Sequence, residues 1–458
     1  MSRLLPDAPR PLRDIMDGGR GPVEPPIRSE IFGPQRFAEH GRSLGATHRA
    51  TLARGWGGSF FPRLRDNILV LREAHAYIAQ QATTGYDISP AAEWLLDNFH
   101  LIDAQLREIR EGLPRSYFRA LPILQDPPLA GLPRVYGIAW AFVAHTDGAF
   151  DEELLVRFLA AYQETRELKL SEVWALPTTL RVVLVENLRR LAERVATTKA
   201  ARAVANLCCD RIAGTPVSTL DELLLWMHQR GAGRVFLVQM AQRFQDHRTG
   251  ADALQLAWLQ QEMPDPAAFL AQQPIDQAAD NLSVSNAVTS LRAIGGADWP
   301  DIVARTSYLM QLMRTSEVFA AEDLGTRDQT LHAIERLARA NGHSEVSVAQ
   351  TLLALMRAST GDTAVASHWL RGPGRPELVN ALGLHDSPAI AWRAAWRHMV
   401  VPVYLGTLAL GTAGLVSWML LGPTAARLEP AWLTLLGVLL MLFPASEAVV
   451  AVINRLIS

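Results

Sequence analysis

The stretch LKLSEVWALPTTLRVVLVENLRRLAERV, Leu168 to Val195, has apolar residues that return every three or four positions. That spacing is the period of an α-helix, whereas a strand with one buried face would alternate apolar and polar residues. Ser171 is a candidate cap for the helix start, and Pro177 predicts a kink or break because proline lacks the backbone N–H. The stretch therefore predicts helix and not strand.

The same period extends over most of the chain, from about residue 34 to 397, in segments of roughly 12 to 25 residues separated by turn signals. Further helices are predicted at 62–83, 90–111, 134–146, 151–166, 217–230, 251–263, 281–294, 299–316, 326–341 and 344–358. No fixed-period repeat is visible, which speaks against a tetratricopeptide array. The fold class is therefore all-α, and a break near 198–216 predicts two helical lobes, 31–205 and 206–397.

The composition changes after residue 397. Met399–Leu421 is 23 residues without a charge, and at about 1.5 Å per residue such a helix covers a hydrocarbon core of about 30 Å. Ala431–Ile453 is a second apolar stretch, interrupted only by Pro444 and Glu447. Residues 398–458 are therefore predicted to form a hairpin of two transmembrane helices that contacts the lipid bilayer.

The charges that flank this hairpin predict its orientation. Arg393, Arg397 and His398 precede the first span and Arg455 follows the second, whereas the connection holds Arg427 offset by Glu429. By the positive-inside rule, the N-terminal domain and the C-terminus are cytoplasmic. Glu447 inside the second span is expensive to bury in lipid. It is interpreted either as a polar contact with further membrane helices or as a shallow, hydrated carboxylate.

Composition excludes several classes of function. Lys+Arg of 44 against Asp+Glu of 46 leaves no basic field for nucleic acid. The two lysines, Lys169 and Lys199, both lie outside any phosphate-binding P-loop motif. The adjacent Cys208 and Cys209 are interpreted as reduced thiols, in agreement with a cytosolic domain. Residues 1–30 lack the apolar run of a secretory signal and are predicted to be a disordered leader.

Several polar groups are candidates for chemistry, although each also has a structural interpretation. Glu93, Asp97 and His100 share one face of a helix, which is typical of a solvated surface and only secondarily of a metal or acid–base site. Asn98 falls in the apolar arc of that helix and is expected to bond to a neighbour's backbone. His145 and Asp147 are a possible acid–base pair, but turn and cap roles are favoured.

Two arginine-rich stretches are the remaining candidates. Arg63, Arg65, Asp66 and Asn67 stand at a predicted helix start, and Glu186 and Arg189 lie on the helix that follows Pro177. Arginine forks can clamp a phosphate or a sugar acid, but mixed charges on helices more often form inter-helix ion pairs or solvated faces. No residue is assigned as catalytic, metal-binding or cofactor-binding, since HExxH, GxGxxG, CxxC and DxD patterns do not occur.

Long strings of the sequence resemble the N-terminal region of the bacterial cyclic β-1,2-glucan synthases. The strings are PRLRDN (62–67), SPAAEWLLDNFHLI (89–102), REIREGLPRSYFRALP (107–122), PLAGLPRVYGIAWAFVAHTDGAFDEELLVRFLAAYQ (128–163), SEVWALPTTLRVVLVENLRRLAER (171–194), SNAVTSLRAIGGADWPDI (285–302) and TRDQTLHAIERLARANGHSEVSVA (326–349). The resemblance runs from about Pro26 to the last residue and includes the first transmembrane hairpin.

The resemblance implies a large multi-pass enzyme of the bacterial inner membrane that polymerises glucose from UDP-glucose, with a divalent metal, for the periplasm. In that family the transferase domain follows the first membrane helices, so none of its catalytic residues has a counterpart here. The chain is then expected to be a structural or regulatory part, joined to the transferase domain or further membrane helices. The alternatives are a stand-alone membrane-anchored helical protein that assists a separate transferase, and an independent enzyme.

Overall fold

The computed structural model describes residues 8–17, 21–51, 60–84, 88–112, 114–213, 215–245, 253–384, 388–421 and 431–457. Some side chains inside the last two ranges are not described, among them those of 388–401 and 419–421. The chain divides into two compact units, Met1–Gln350 and Thr351–Ser458. Each unit is helical, in agreement with the predicted all-α class.

The first unit contains most of the helices and one short antiparallel strand pair. Its helices are α1 Arg10–Asp17, α2 Pro34–Thr47, α3 Phe60–Thr83, α4 Pro90–Asp97, α5 Phe99–Glu111, α6 Arg115–Arg119, α7 Arg134–His145, α8 Glu152–Gln163, α9 Leu170–Cys209, α10 Val217–Gln229, α11 Gly233–Gln245, α12 Ala253–Glu262, α13 Pro266–Gly296, α14 Trp299–Thr306, α15 Tyr308–Met313, α16 Glu317–Ala321, α17 Leu324–Asn341 and the start of α18 Glu345–Arg357. Strand β1 (Ala50–Thr51) pairs with β2 (Ile123–Leu124), with Ala50 opposite Leu124.

The second unit contains a 3-10 turn at Gly361–Thr363 and four helices. These are α19 Ala366–Leu370, α20 Arg375–Ala381, α21 Pro388–Leu421 and α22 Ala431–Ile457. Helices α21 and α22 pack against each other. A Cβ atom on Gly411 would lie 2.9 Å from Val449 Cγ1, so the two helices approach closely at this glycine.

Helix α9 is the centre of the first unit. It runs for 40 residues, or about 60 Å at 1.5 Å per residue, and 28 of its residues are buried. It contacts α1, α3, α4, α5, α7, α11, α13 and α14. Because neighbours cover it on nearly every side, apolar residues appear all around it and not along a single stripe.

The start of α9 differs from the sequence prediction. Ser171 lies inside the helix and is buried, and carboxylates cap the first turn instead. Glu172 Oε2 accepts a hydrogen bond from Lys169 N at 3.0 Å, and Glu345 Oε2 accepts one from Leu170 N at 2.8 Å. Two carboxylates at the positive end of a helix satisfy N–H groups that have no partner within the helix.

Pro177 does not end the helix, contrary to one of the two predicted outcomes. It lies within α9, and the helix continues beyond it for eight turns or more. An interior proline typically destabilises a helix by about 3 kcal/mol. Burial of both ends of α9 among other helices outweighs that local penalty. No local sequence signal reports this burial.

Other boundaries also changed. The predicted helix 90–111 is broken at Asn98 into α4 and α5, 299–316 is broken at Ser307, and 281–294 is part of the much longer α13. Part of the predicted disordered leader is ordered, because Arg10–Asp17 is a helix that buries Leu12 and Met16. The predicted boundary between lobes at 205/206 falls inside α9, and the two-lobe division stays a prediction.

Among the described residues, one stretch has the length and composition of a membrane span. Leu435–Val452 in α22 has a mean hydropathy of 2.2 and is almost entirely exposed. The first predicted span, 399–421, is helical in α21, and because the side chains of 399–401 and 419–421 lie outside the described residues, its membrane-spanning role stays a prediction. The side chains of Arg393, Arg397 and His398 lie outside the described residues, as do Arg427 and Glu429, so the predicted orientation stays a prediction.

Candidate functional site: a buried ion network on the central helix

Glu186 is the centre of a polar network in the first unit. Its side chain is fully buried on α9. Arg63 donates to both carboxylate oxygens, from Nε to Oε2 at 2.8 Å and from Nη2 to Oε1 at 2.5 Å. Asn67 Nδ2 and the Tyr136 hydroxyl donate to Oε2 at 2.9 and 2.6 Å, and Arg190 Nη2 donates to Oε1 at 2.9 Å. The carboxylate is therefore satisfied by the protein itself.

The electrostatics of this cluster keep it charged. Burial by itself raises the pKa of Glu186, but the hydrogen bond and charge of Arg63, together with Tyr136 and Arg190, lower it to about 2. Burial, followed by the Glu186 charge, raises the pKa of Tyr136. The hydrogen bond that Arg63 donates to Glu186 raises the pKa of Arg63. At neutral pH the network thus contains an ionised Glu186, a charged Arg63 and a neutral Tyr136.

Arg189 extends the network by one layer. Its Nε donates to Asn67 Oδ1 at 3.0 Å and its Nη1 donates to Glu193 Oε2 at 3.0 Å. Its Nη2 donates to Glu24 Oε2. Burial raises the pKa of Glu24, but Arg189 reverses that effect and the pKa is lowered. Each buried cation of this layer therefore faces a carboxylate, as a buried charge requires.

The network also fastens the N-terminal segment 24–27 to α9. Asn187 Oδ1 accepts a hydrogen bond from Ile27 N at 2.7 Å. Arg190 Nη1 donates to Pro25 O at 2.9 Å, and its guanidinium lies 4.9 Å from the centroid of the Trp140 ring. The network thus joins α3, α7, α9 and this segment. Its hydrogen bonds and ion pairs hold these parts of the fold together.

The sequence candidates at the start of α3 are divided by the helix. Arg63 and Asn67 are one turn apart and both reach Glu186. Arg65 and Asp66 point to solvent, with Arg65 Nε 3.7 Å from Asp66 Oδ1. The phosphate-clamp hypothesis is therefore not supported for Arg63, whose donors are engaged by Glu186.

Arg65 instead lines an open groove of about 650 Å³. Arginines dominate its polar lining, namely Arg65, Arg72, Arg110, Arg115 and Arg119. Arg72 Nη2 donates to Asp103 at 2.6 Å, and the Arg115 guanidinium lies 5.7 Å from the Phe61 ring centroid. These arginines are exposed, so the groove is a basic surface and not an enclosed pocket.

His145 lies beside the N-terminal segment. Its Nδ1 is 2.7 Å from Glu30 O, and its ring stacks on Phe32 with centroids 4.1 Å apart. His40 meets it edge to face at 4.6 Å. Burial and the charge of His145 lower the pKa of His40. In the described residues no hydrogen bond joins His145 to Asp147, so the predicted acid–base pair is not formed.

Asp147 has its own partners. It is in a turn, with a φ of 49°, a left-handed conformation that aspartate tolerates better than most residues. Its Oδ1 accepts from Ser283 Oγ at 2.5 Å and from Arg28 Nε at 3.3 Å. Asn286 Nδ2 donates to its backbone carbonyl at 3.2 Å. Asp147 therefore joins the turn after α7 to α13, in agreement with the favoured turn role.

The row of Glu93, Asp97 and His100 is exposed, and the helix break at Asn98 separates its members into α4 and α5. His100 Nδ1 is 3.1 Å from the backbone carbonyl of Asp97. Asn98 Nδ2 donates to Trp94 O at 2.9 Å. The expected bond from Asn98 to a neighbouring helix is thus wrong, because the amide closes the last turn of its own helix.

Glu447 is exposed on α22 within Leu435–Val452, and its predicted role in membrane contacts stays a prediction. Throughout the part of the chain that the structure describes, no group of three or more histidine, cysteine or acidic side chains is arranged to hold a metal ion.

Sequence reasoning missed several members of the network. Tyr136 and Glu24 of the network, and Arg28 beside Asp147, were not selected as candidates, although all three contact buried carboxylates or cations. The hydroxyl of Tyr136 within the apolar string RVYGIAWAFVAH was the one available signal, because a buried hydroxyl needs a partner.

No family model matches the sequence. The chain is similar to a curated protein, the cyclic beta-(1,2)-glucan synthase NdvB of Rhizobium meliloti (strain 1021), with 29% identity over 448 residues. The similarity covers 93% of this chain. The predicted resemblance to the cyclic β-1,2-glucan synthases is confirmed. The chain spans only 16% of the length of that relative. The chain is thus similar to a glucan synthase, and most of that synthase lies outside the similarity.

Proposed function

We propose that this chain is the N-terminal, membrane-anchoring part of a cyclic β-1,2-glucan synthase, and that its helical unit is structural or regulatory. The observation that carries the proposal is the similarity to the Rhizobium meliloti synthase over 93% of this chain but 16% of the relative. Glucosyl transfer from UDP-glucose, with a divalent metal, is then an activity of the whole enzyme.

The contacts of the helical unit support a structural role. Arg63 and Asn67 donate to Glu186, and Arg189 donates to Asn67 and Glu193. Side chains that are mutually engaged in this way have little capacity left for a substrate. Their arrangement fixes the positions of α3, α7 and α9, which is the task of a rigid support for neighbouring domains.

Helix α22 supports the anchoring role. Leu435–Val452 is apolar and exposed, and exposure of such a surface is favourable in lipid. The proposed arrangement places both α21 and α22 in the inner membrane, with the helical unit and the C-terminus in the cytoplasm. The transferase domain or further membrane helices would then be the partners.

A chimeric synthase tests the proposal. This chain replaces the matching segment of the Rhizobium meliloti relative, in a strain that lacks the native gene. We expect cyclic glucan formation to be restored, and expect no restoration from a chimera whose segment begins at residue 351. Immunoblots of the membrane fraction establish that both chimeras accumulate. Normal glucan formation by an accumulated chimera without residues 1–350 contradicts the supporting role.

A second measurement tests the assignment of catalysis to the rest of the enzyme. The purified chain is incubated with UDP-[14C]glucose and a divalent metal, alone and with the intact relative as a positive control. We expect no release of UDP and no labelled protein from the chain alone. Turnover by the isolated chain contradicts the proposal and favours an independent enzyme.

A further inference from the structure

A cavity of about 310 Å³ lies beside α9, and its lining contains no residue of the Glu186 network. The C-terminal half of α9 forms one wall, and α3, α4, α11 and α13 form the others. Its volume and mixed apolar and polar lining match those of small-molecule sites. All of its walls belong to the first unit.

The carboxylates of the cavity are already neutralised. Arg194 Nε lies 3.1 Å from Asp280 Oδ2, and its Nη2 lies 3.6 Å from Asp276 Oδ2. Arg28 Nη2 lies 3.4 Å from the other oxygen of Asp280, and Gln272 Nε2 donates to Asp276 at 3.1 Å. Asp276 and Asp280 are therefore already paired with arginines, and they do not neutralise other cations of the cavity.

Arg202 is a cation of the cavity lining that neither of these carboxylates neutralises. It lines the cavity two turns beyond Arg194 on the same face of α9 and is half-buried. No ion pair or hydrogen bond to its guanidinium occurs within the described residues. Burial lowers the pKa of Arg202, and no carboxylate opposes that effect. A half-buried guanidinium without a counter-charge is unfavourable in the empty protein, and an anion would relieve this.

Two further features make the cavity electropositive. Arg234 also lines it, with its guanidinium 4.6 Å from the centroid of the Phe269 ring. The first residues of α4, from Ser89 to Ala92, form part of the wall, and a helix start carries a partial positive charge.

We propose that this cavity is a binding site for a small phosphorylated molecule with a flat, apolar body. Arg202 and Arg234 hold the phosphate, since guanidinium groups match phosphate oxygens in geometry and charge. The apolar wall of Ile88, Val195, Val238 and Phe269 receives the body. A bare inorganic anion would leave this wall uncovered.

The proposal is tested by calorimetric titration of the full chain in detergent micelles at low ionic strength. The probes are inorganic pyrophosphate, ADP and glucose 6-phosphate. We expect saturable binding of pyrophosphate and tighter binding of ADP, because adenine can cover the apolar wall. Absence of binding for both at millimolar concentration overturns the proposal, and so does tighter binding of glucose 6-phosphate than of ADP.

Variants assign the binding to the cavity. Arg202→Gln and Arg234→Gln should each weaken ADP binding by about tenfold or more, the usual loss for a hydrogen bond to a charged group. Arg292→Gln is the control, because Arg292 is an exposed arginine on α13 outside the cavity. Arg234 is exposed, so its variant remains informative if Arg202→Gln does not fold. Unchanged affinity in a folded cavity variant overturns the proposal.

A second readout separates binding from a structural role of Arg202. Without ligand, Arg202→Gln should unfold at the same or a higher temperature than the unmodified chain, because it removes an unneutralised charge. ADP should raise the unfolding temperature of the unmodified chain but not that of the variant. An equal rise in both proteins contradicts the assignment.

Discussion

At the scale of single residues, the structure contains two buried carboxylates whose pKa values move in opposite directions. Glu186 is surrounded by donors and its pKa falls to about 2. Glu345 is almost as buried, but it accepts a single backbone hydrogen bond from Leu170 and its pKa rises to about 7. The difference follows from the number of positive partners, since burial raises the pKa of both.

Removal of the charge of Glu186 should destabilise the first unit. Glu186→Gln leaves Arg63 and Arg190 without their buried counter-charge, and the loss of one partner of a buried pair typically costs about 3 to 5 kcal/mol. The free energy of unfolding, from urea titration followed by circular dichroism, checks this at pH 7. Glu111→Gln, at an exposed position on α5, is the control and should change little.

The same carboxylate predicts a loss of stability in acid. Its pKa in the folded protein is lower than the ordinary value of 4.5, so the unfolded chain binds more protons between these values. The stabilisation by Glu186 is present above about pH 4.5 and disappears as the pH falls toward 2. The difference between the unmodified chain and Glu186→Gln should therefore shrink over that range; a constant difference from pH 7 to pH 3 contradicts the assignment.

Glu345 predicts the opposite pH dependence. Burial is the largest cause of its raised pKa, and the charge of Glu335 adds to it. The folded protein then binds more protons than the unfolded chain between pH 4.5 and about 7, so stability falls as the pH rises through this window. Glu345→Gln keeps an acceptor for Leu170 N without the charge. At pH 8 it should be more stable than the unmodified chain by about 3 kcal/mol, since the pKa rises from 4.5 to about 7 and each pKa unit corresponds to about 1.4 kcal/mol.

Urea titrations at pH 8 and pH 4.5 check this second prediction. The gain from Glu345→Gln should be present at pH 8 and absent at pH 4.5, whereas Glu111→Gln should show no such change. A destabilised Glu345→Gln at pH 8 would mean that the ionised carboxylate is required to cap α9.

At the scale of elements, the helical period of the sequence predicted the presence of most helices but not their ends. The apolar spacing in α8 and α17 suffices because each has one buried face. Helix α9 exceeds its predicted stretch at the C-terminal end and passes through Pro177, since its limits depend on neighbours that are distant in the sequence. Glu345, which caps α9, is 175 positions from Leu170.

The candidate site was predictable to a similar degree. Arg63, Glu186 and Arg189 stand out as mixed charges on helices, and Asn67 lies one turn after Arg63. Inter-helix ion pairing was one of the interpretations given to these arginine-rich stretches. Glu24 and the unpaired Arg202 could not be predicted, and Tyr136 gave only the signal of a hydroxyl within an apolar string. Their significance depends on burial and on contacts across the fold, and no local pattern reports these.

The packing of α2 on α8 gives a prediction about glycine. A Cβ atom on Gly41 would lie 2.8 Å from Phe158 O, and one on Gly45 would lie 2.5 Å from Tyr162 O. Backbone atoms cannot yield as a flexible side chain would. Gly41→Ala and Gly45→Ala should each destabilise the unit by about 1 to 3 kcal/mol, as measured by urea unfolding.

Gly296 provides the matched control, because it is also helical and nothing lies within 4 Å of a Cβ atom built on it. Gly296→Ala should be neutral or slightly stabilising. Equal stability of all three variants would show that α2 and α8 can separate without loss.

At the scale of the whole molecule, the proposed anchoring role depends on how residues 398–458 are oriented in a membrane. This proposal rests on the similarity to a much longer synthase and on the apolar α22. The prediction is that the connection between α21 and α22 faces the periplasm and that the C-terminus faces the cytoplasm. Single introduced cysteines report this, provided that the native ones do not react.

The native cysteines meet that condition. Cys208 and Cys209 are buried on α9, and burial raises their pKa values to about 11 and about 12. Because the thiolate is the reactive form, a membrane-impermeant maleimide should label neither in the folded chain. Thr424→Cys, in the connection, should be labelled in intact spheroplasts. Ser458→Cys should be labelled only after the membrane is opened, and the reverse pattern contradicts the orientation on which the proposed attachment to a cytoplasmic transferase depends.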